Sequence, residues 1–459
     1  MPIDICEPEM LLYKLFLIRP WDEQVLVLPT MDGYQIPALS ISAFARPIEE
    51  LQNRVRSGWK LDAVFVGITC PVEGGLPCAI GEPLYMAGGT EHLIAVPFRN
   101  LQSQHLTDLE RELIEGLMLG SRMDGCEIGR FGWIDEAVRW VEKTASIAKC
   151  MKRDIQQYNA GGGFALLRIP MDRGPAFWLK ATGAPNRHEC AVTTVLSELC
   201  PEHAPIVVAT RTDWNAWLMV EDGDLLELSP SSVAAASNVL RSAIRSMATI
   251  QQVSRGSKPA LSAAGVFDQS PSVLLGIVED LFAYLEEAMA LQTSLKVAPL
   301  GSARLREICS VLKEVCWRTQ ELNLPATIIH GDLNRGNILA VSGRCRFIDW
   351  CEAYWGPPVV SLQHLLLLNP QKGDPSRVSE FELRDAYVSS WEDGADRTSL
   401  EKAMPFMPLL AIASTLCGRG DWLNTPLRHD PRRQAYTRGL ARHMERAVRD
   451  PELQEVLCS

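Results

Sequence analysis

The hydrophobic pattern of this chain changes character near Pro230. Before that point, short runs of β-forming residues alternate with Gly and Pro, whereas long stretches with a 3.6-residue period follow it. The order of strands first and helices second predicts an α+β fold. Because the chain has 459 residues, and a domain holds roughly 150, we expect two or three folding units.

The periodicity assigns individual elements as well as the fold class. Predicted strands cover Leu11–Ile18, Val25–Leu28, Ala63–Ile68, Leu93–Val96, Phe164–Ile169, Ala176–Lys180, Ile206–Ala209 and Ala216–Val220. Predicted helices cover Thr107–Leu119, Phe131–Lys149, Asn186–Leu199, Ser231–Val253, Val273–Leu295, Ala303–Leu322, Leu362–Leu367, Phe381–Trp391, Leu400–Leu416 and Gln434–Val448. A strand–loop–strand insert, Ala326–Asp349, interrupts the helical part.

Charge and composition exclude several classes of function. The formal net charge is −11, which provides no positive field for nucleic acid or an anionic membrane. The apolar run Met404–Cys417 contains two prolines and is shorter than the ~20 residues of a spanning helix, so we expect no membrane insertion. Asp4, Glu7 and Glu9 give the start of the chain the wrong charge for a secretory leader. Thirteen scattered cysteines without a C-x-x-C pair then indicate free thiols in the cytoplasm.

The insert carries the residues with the clearest chemical pattern. It reads I-I-H-G-D-L-N-R-G-N-I-L, with Asp332 and Asn337, and Asp349 follows in F-I-D-W. A hydroxyl acceptor needs a carboxylate that orients it and takes its proton, and Mg²⁺ on ATP phosphates needs hard oxygen ligands nearby. A tight loop supplies both. His330 fits a structural histidine that bonds the loop backbone, and Arg335 fits either a phosphate contact or a solvated side chain.

This pattern resembles the catalytic core of the aminoglycoside phosphotransferase and choline kinase family, distant relatives of the protein kinases. The resemblance covers about residues 150–420. It implies a two-lobed protein-kinase-like fold, with a small antiparallel β lobe and a mostly helical lobe. It also implies that Asp332 is the catalytic base and that Asn337 and Asp349 are Mg²⁺ ligands.

The same resemblance points to ATP-binding residues upstream. Lys180 ends the β-run F-W-L-K-A, where relatives keep a lysine that contacts the α- and β-phosphates, and Glu189 is its expected ion-pair partner. A second interpretation of Glu189 is a helix capping box with Asn186. Both roles are compatible.

Two backbone segments complete the predicted nucleotide site. Gly161, Gly162 and Gly163 stand at a hairpin tip where backbone N–H groups can approach a phosphate, although three glycines also form ordinary flexible turns. Met219, Val220 and Glu221 lie where relatives have the hinge that receives adenine. A plain core strand is the competing interpretation of this segment.

The domain prediction follows from these positions. We expect a β-rich α/β N-terminal domain at residues 1–125, a helical linker at 126–150, an ATP-binding N-lobe at 151–225 and a helical C-lobe with the catalytic loop and acceptor site at 226–459. G-Y-Q-I-P at Gly33–Pro37 faintly resembles the opening of a diverged Nudix-type domain, but the Nudix catalytic box is absent. A scaffold or regulatory role is the default for this domain.

The sequence therefore predicts an ATP- and Mg²⁺-dependent phosphotransferase with a small hydroxyl-bearing acceptor that is aminoglycoside-, choline- or sugar-like. The alternative is a nucleotide-binding pseudokinase with a regulatory or scaffold role. The acidic excess between residues 374 and 396 suits either a cationic acceptor or a solvated helix face. Neither nucleic acid nor a membrane is an expected partner.

Overall fold

The computed structural model describes residues 9–70, 74–84, 92–123, 126–161, 163–226, 233–369, 373–374, 377–391, 394–420, 423 and 425–459. Contacts divide the chain into two compact units. The first comprises residues up to Cys190 together with Ile206–Glu221, and the second comprises Ala191–Pro205 and Asp222–Ser459. The elements confirm the predicted α+β class, whereas the domain boundaries given above stay predictions.

In chain order, the first part of the chain forms β1 (Met10–Arg19), β2 (Gln24–Thr30), β3 (Gly33–Gln35), β4 (Ala38–Ser42), α1 (Pro47–Trp59), β5 (Ala63–Thr69), β6 (Cys78–Pro83), β7 (Ile94–Pro97), α2 (Asp108–Met118), α3 (Trp133–Ala145), β8 (Gln156–Asn159), β9 (Phe164–Ile169), β10 (Phe177–Thr182), α4 (Glu189–Leu199), β11 (Val207–Arg211) and β12 (Ala216–Val220).

The remainder forms β13 (Asp224–Leu225), α5 (Val233–Arg255), α6 (Lys258–Ala264), β14 (Phe267–Asp268), α7 (Pro271–Ala290), α8 (Ser302–Glu321), β15 (Thr327–Ile329), β16 (Ile338–Val341), β17 (Arg344–Phe347), β18 (Tyr354–Gly356), α9 (Val359–Leu366), α10 (Glu380–Ser389), α11 (Gly394–Ala403), α12 (Met407–Cys417), α13 (Pro431–Val448) and α14 (Pro451–Cys458).

Strands β1 to β7 form one mixed sheet, which with α1 and α2 we call the N-terminal domain. Its order is β3-β2-β1-β6-β5, with β4 also on β1 and β7 on β2, and β1 runs parallel to β6. Side chains alternate along β1, so Leu15 and Leu17 belong to the core beneath α1, whereas Phe16 and Ile18 belong to the core beneath α2. A strand buried on both faces explains the continuous apolar run in the sequence.

Strands β8 to β12 form an antiparallel sheet of order β11-β12-β10-β9-β8, which we call the small-lobe sheet. Its apolar face is covered by α3. Trp133, Val138 and Val141 of α3 share a buried cluster with Leu167 of β9 and Leu179 of β10. The segment predicted as a helical linker therefore contributes to the core of this sheet.

The second unit has its own core, in which helices α5, α7, α8, α9, α12 and α13 take part. Two three-stranded sheets accompany them, with orders β13-β16-β17 and β14-β18-β15. Residues Arg397–Cys417 form the one segment of the described chain that is long and apolar enough to cross a membrane, and 67% of its apolar window is buried in the protein. Burial in a core gives a sufficient reason for its composition.

Several elements differ from the sequence prediction, and strands β4 and β6 and helices α6 and α14 were not predicted at all. Helix α1 lies where only strands and turns were expected, although Pro47 in the first turn and the buried Ile48, Leu51 and Val55 carry a helical pattern. The predicted helix Leu400–Leu416 is two helices, because a short 3-10 turn at Met404–Phe406 separates α11 from α12. Helix α4 begins at Glu189, three residues later than predicted.

The buried Glu82 of β6 gives the first unit a pH-dependent stability. Both its carboxylate oxygens accept from Gly132 N, at 3.1 and 3.0 Å, just before α3. Burial raises the pKa of Glu82 to about 7; Asp135 adds to this, while the Gly132 N–H and Arg130 oppose it. A raised acid pKa means that the folded state holds the proton more tightly. The contribution of Glu82 to the unfolding free energy is therefore fully present below its ordinary pKa of 4.5, and it is lost as the pH rises through about 7.

We expect Glu82→Gln to remove this dependence. Between pH 5 and pH 8 the wild-type chain should lose about 2–3 kcal/mol of unfolding free energy through this group, and the variant should lose correspondingly less. Denaturant titrations of both proteins at the two pH values make the comparison. Equal losses in the two proteins would contradict the assignment to Glu82.

Candidate active site

Lys180 and Glu189 form a buried ion pair in the first unit, as predicted. Lys180 Nζ lies 2.5 Å from Glu189 Oε1, and the two residues are 6% and 1% exposed. Lys180 sits on the central strand β10, between Leu166 of β9 and Trp217 of β12. Its ammonium also lies 4.9 Å from the centre of the Phe164 ring. Two buried charges that satisfy each other hold the lysine in one position on the sheet.

The turn between β8 and β9 carries two of the three predicted glycines, while Gly162 lies outside the described residues. Gly161 has a φ of +111°, a conformation that favours glycine. Gly163 O accepts a hydrogen bond from Gly183 N at 3.0 Å. The left-handed Gly161 stands at the start of the turn, and the hydrogen bond to Gly163 holds its end. The assignment of a phosphate to this turn stays a prediction.

The predicted hinge segment is an inner strand of the small-lobe sheet. Met219 pairs with Trp178 on one side and Val207 on the other, and Val220 N donates to Ile206 O at 3.1 Å. The core-strand interpretation thus describes Met219 and Val220, and adenine binding by their backbone stays a prediction.

Glu221 follows this strand and is held by its side chain. Arg168 Nε and Nη2 donate to its two carboxylate oxygens at 2.5 and 2.7 Å, and Trp178 Nε1 donates at 3.2 Å. Hydrogen bonds from Arg168 hold the pKa of Glu221 below its usual value. Sequence reasoning did not single out Arg168, which fixes the end of β12 through a bidentate pair.

In the second unit, the loop predicted to be catalytic brings Asp332 and Asn337 together. Asn337 Nδ2 donates to Asp332 O at 2.7 Å and to Asp332 Oδ2 at 3.2 Å. Asn334 donates to the other carboxylate oxygen at 3.1 Å and caps the short 3-10 turn Arg335–Asn337 by accepting from Gly336 N. Two amides therefore orient the exposed Asp332 carboxylate. Arg335 is exposed and donates to Leu368 O at 3.3 Å.

Asp349 follows β17 in a left-handed conformation, with a φ of +67°. Such backbone geometry costs energy in a residue with a side chain and often marks functional sites. The buried His330 supports the segment before it, because its Nε2 lies 2.8 Å from Ile348 O and its ring centre 4.6 Å from that of Trp350. The prediction of a structural histidine is confirmed. Ile348 N also donates to Asn337 O at 3.0 Å, which ties the two halves of the motif together.

A third carboxylate, Glu352, belongs to this site and was missed in the sequence. Desolvation, together with the charges of Asp332 and Asp349, raises the pKa of Glu352, while Arg433 opposes the shift. Partial burial and the charges of Glu352 and Asp332 likewise raise the pKa of the Tyr436 phenol on α13. Glu352 stands only three residues from Asp349, so the sequence itself could have indicated that it lies near the motif. Tyr436 is far from the motif in the sequence, and no local pattern indicates it.

A buried arginine fixes the strand that leads to Asp349. Arg346 of β17 is 3% exposed, and its guanidinium donates to Pro201 O, to Ala204 O and to Asp222 Oδ2. Those carbonyls lie just beyond the C-terminal end of α4, where positive charge is favourable. Phe347 N adds a bond to His203 O at 2.8 Å. The loop after α4 is thus hydrogen-bonded to β17.

Gly331 is required by a close approach of the backbone. It has a φ of +83°, and a Cβ on it would lie 2.2 Å from Glu352 O. We expect Gly331→Ala to destabilise the chain by about 2 kcal/mol or more, from left-handed strain and displacement of the Glu352 backbone. Denaturant titration measures this. The control is Gly276→Ala in α7, where nothing lies within 4 Å, and there a gain of about 0.5–1 kcal/mol is expected.

The donor set suits Mg²⁺. Asn337 commits its amide N–H groups to Asp332, so its Oδ1 is the atom left to offer a metal, and Asp349 offers carboxylate oxygens. Hard oxygen ligands without sulfur or imidazole are what Mg²⁺ prefers. The charges of Asp332 and Asp349 disfavour the ionised form of Glu352, so a bound cation would relieve repulsion at this site.

A comparison with protein families gives a match over the region that holds Asp332, Asn337 and Asp349. The model of the phosphotransferase enzyme family, abbreviated APH, matches residues 170–401, just over half of the chain. The comparison with curated proteins by sequence gave no match.

Several solved structures contain similar chains, and three of them follow. A choline kinase from Cryptosporidium parvum is 12% identical, with 71% of this chain and 98% of that chain covered and a TM-score of 0.46. An ethanolamine kinase from Plasmodium vivax is 15% identical, with coverages of 66% and 84% and a TM-score of 0.44. A macrolide 2'-phosphotransferase from Brachybacterium faecium is 15% identical, with coverages of 66% and 97% and a TM-score of 0.39.

Proposed function

We propose that this chain, which belongs to the phosphotransferase enzyme family and is a small-molecule kinase-type phosphotransferase, uses ATP with Mg²⁺ as donor and a small-molecule hydroxyl group as acceptor. The single observation that carries the proposal is the loop in which Asn334 and Asn337 orient the Asp332 carboxylate, and which His330 and Asn337 tie to Ile348, the residue before Asp349. An oriented, exposed carboxylate next to a set of oxygen ligands is what phosphoryl transfer to an alcohol requires.

Each residue then has a defined part in the transfer. The acceptor hydroxyl donates its hydrogen bond to Asp332, so that its oxygen faces the γ-phosphorus. As the new O–P bond forms, the bond between the γ-phosphorus and the β,γ-bridging oxygen breaks, and ADP leaves with that electron pair. The hydroxyl proton passes to Asp332. Because a carboxylate is a weak base, most of the acceleration would come from orientation and charge neutralisation.

The nucleotide is assigned to the residues of the first unit. Lys180, held by Glu189, would contact the α- and β-phosphates, the backbone at Gly161–Gly163 would approach the phosphates, and the Met219–Glu221 segment would receive adenine. Asn337 and Asp349 would hold Mg²⁺, which neutralises charge on the phosphates when bound.

The acceptor is proposed as a small molecule that is aminoglycoside-, choline- or sugar-like. Within the acidic segment, Glu380 pairs with Arg384 and Glu382 with Arg241, so these two glutamates are neutralised on the surface. Glu352, by contrast, lies in the electrostatic range of Asp332. We place the reaction in the cytoplasm, where ATP is available.

The proposal is tested by ADP release over a library of aminoglycosides, amino alcohols and sugars, with Mg²⁺ and with excess chelator. Phosphorylation of one acceptor class by ATP, abolished by the chelator, is the expected result. A thermal shift with Mg²⁺-ATP is recorded in parallel. A nucleotide-induced shift without turnover on any acceptor would favour the pseudokinase alternative instead.

A further inference from the structure

The N-terminal domain shares buried structure with strand β8, the strand that leads into the glycine turn. Arg56 of α1 donates to Arg153 O at 2.7 Å, and Ala160 packs against the core that contains Leu51 and Phe65. The contacts therefore continue along the chain from residue 153 to residue 160. The start of the proposed phosphate-binding turn rests on this domain.

Two buried glutamines form the centre of this contact. Gln157 of β8 is 0% exposed, accepts from Phe65 N at 2.7 Å and donates to Phe65 O at 2.8 Å. Gln52 of α1 is 3% exposed, accepts from Gln157 N at 2.8 Å and donates to Ala63 O at 3.0 Å. The Gln157 side chain thus imitates a neighbouring strand at the edge of β5. A fully satisfied buried amide network fixes one arrangement, because any shift leaves polar groups unpaired.

The backbone of β5 lies close to the backbone of the glycine turn at Gly67. It lies at an irregularity in the pairing of β5 with β6, and a Cβ built on it would be 3.5 Å from Gly161 Cα. Gly161 has a positive φ, and β8 carries its own irregularity between Gln157 and Asn159. Gly161 therefore lies within van der Waals reach of β5, whereas the tighter contacts of such a Cβ, at 3.0 and 3.2 Å, would be with the Met123 side chain.

We propose that the N-terminal domain positions the glycine turn for nucleotide binding, with Gln52 and Gln157 as positioning residues. This inference rests on the proposed function, because it assumes that the turn meets ATP phosphates. A turn whose first residues are held in place loses less backbone freedom when the phosphate arrives, so the nucleotide binds more tightly. The domain then acts on nucleotide affinity rather than on the transfer step.

The test uses the full chain with Gln157→Leu, which replaces the amide side chain by an apolar one of similar size. We expect the KM for ATP to rise about tenfold, equivalent to about 1.4 kcal/mol, while kcat changes less than about twofold. Hydrogen exchange at residues 158–161 should accelerate, while exchange in α5 and α7 stays unchanged. The matched control is Gln156→Leu on the exposed face of the same strand, for which no change is expected.

The outcomes separate this inference from the proposed function. Hydrogen exchange needs no turnover, so it reports the positioning even if no acceptor is phosphorylated. A folded Gln157→Leu variant with wild-type exchange at the turn, or with faster exchange but unchanged ATP affinity, would overturn the inference. If that variant does not fold, Gln52→Leu leaves the Gln157 side chain in place and is judged by the same two readouts.

Discussion

Replacing Asp332 by asparagine is expected to lower kcat by about 10²–10⁴-fold, with little change in the KM for ATP. The substitution keeps the size of the side chain but removes the charge that orients the acceptor hydroxyl and takes its proton. The hydrogen bonds from Asn334 and Asn337 reach the Asp332 carboxylate and carbonyl oxygens, so part of the loop network survives. Coupled measurement of ADP release on the acceptor found in the library screen gives the comparison.

The control for this prediction is Asp280→Asn, an exposed carboxylate on α7. It changes the net charge equally and should leave kcat within about twofold, since exposed substitutions away from the site have small effects. If Asp332→Asn were as active as Asp280→Asn, Asp332 would have no role in the transfer. Equal thermal stability of the two variants ensures that the comparison concerns chemistry.

The second large effect concerns the buried ion pair. Lys180→Met leaves the Glu189 carboxylate buried without its cation, and we expect a loss of about 3–5 kcal/mol in unfolding free energy. Replacing both partners, as in Lys180→Met with Glu189→Leu, should recover most of that stability, because apolar residues of similar volume pack in the same space.

The double variant separates folding from function. If Lys180 contacts ATP phosphates, the refolded double variant should remain stable and still lose nucleotide-dependent turnover. Denaturant titration and ADP release on the single and double variants are the measurements. A double variant with wild-type activity would remove Lys180 from the nucleotide site. A single variant with wild-type unfolding free energy would show that burial of Glu189 does not require the charge of Lys180.

The sequence predicted those parts of the fold and site that depend on local patterns. Asp332 and Asn337 stand five residues apart in a motif that resembles the family pattern, and one loop brings them together. Many strands and most helices follow from apolar periodicity, whereas strands β4 and β6 were not predicted. Helix α1 was missed because its flanking strands dominated the interpretation of that region, although its buried positions repeat at helical spacing.

Other features depend on tertiary contacts and leave no local trace. Tyr436 reaches the electrostatic environment of Asp332 from α13, and Arg346 meets Asp222 across more than one hundred residues. The Gln52–Gln157 contact is of the same kind. A buried glutamine or arginine looks like a surface residue in a sequence, because composition does not reveal which partners the fold will bring to it.

The core beneath the small-lobe sheet sets a limit on how this enzyme can be divided. The family match begins at residue 170, within the turn that follows β9, yet Trp133, Val138 and Val141 of α3 cover the sheet to which β9 belongs. A chain cut at residue 150 would present that apolar face to water and would be expected to aggregate. The segment that matches the family and the segment that shares this core therefore have different borders, and we expect a chain for expression to need α3 to keep the sheet covered.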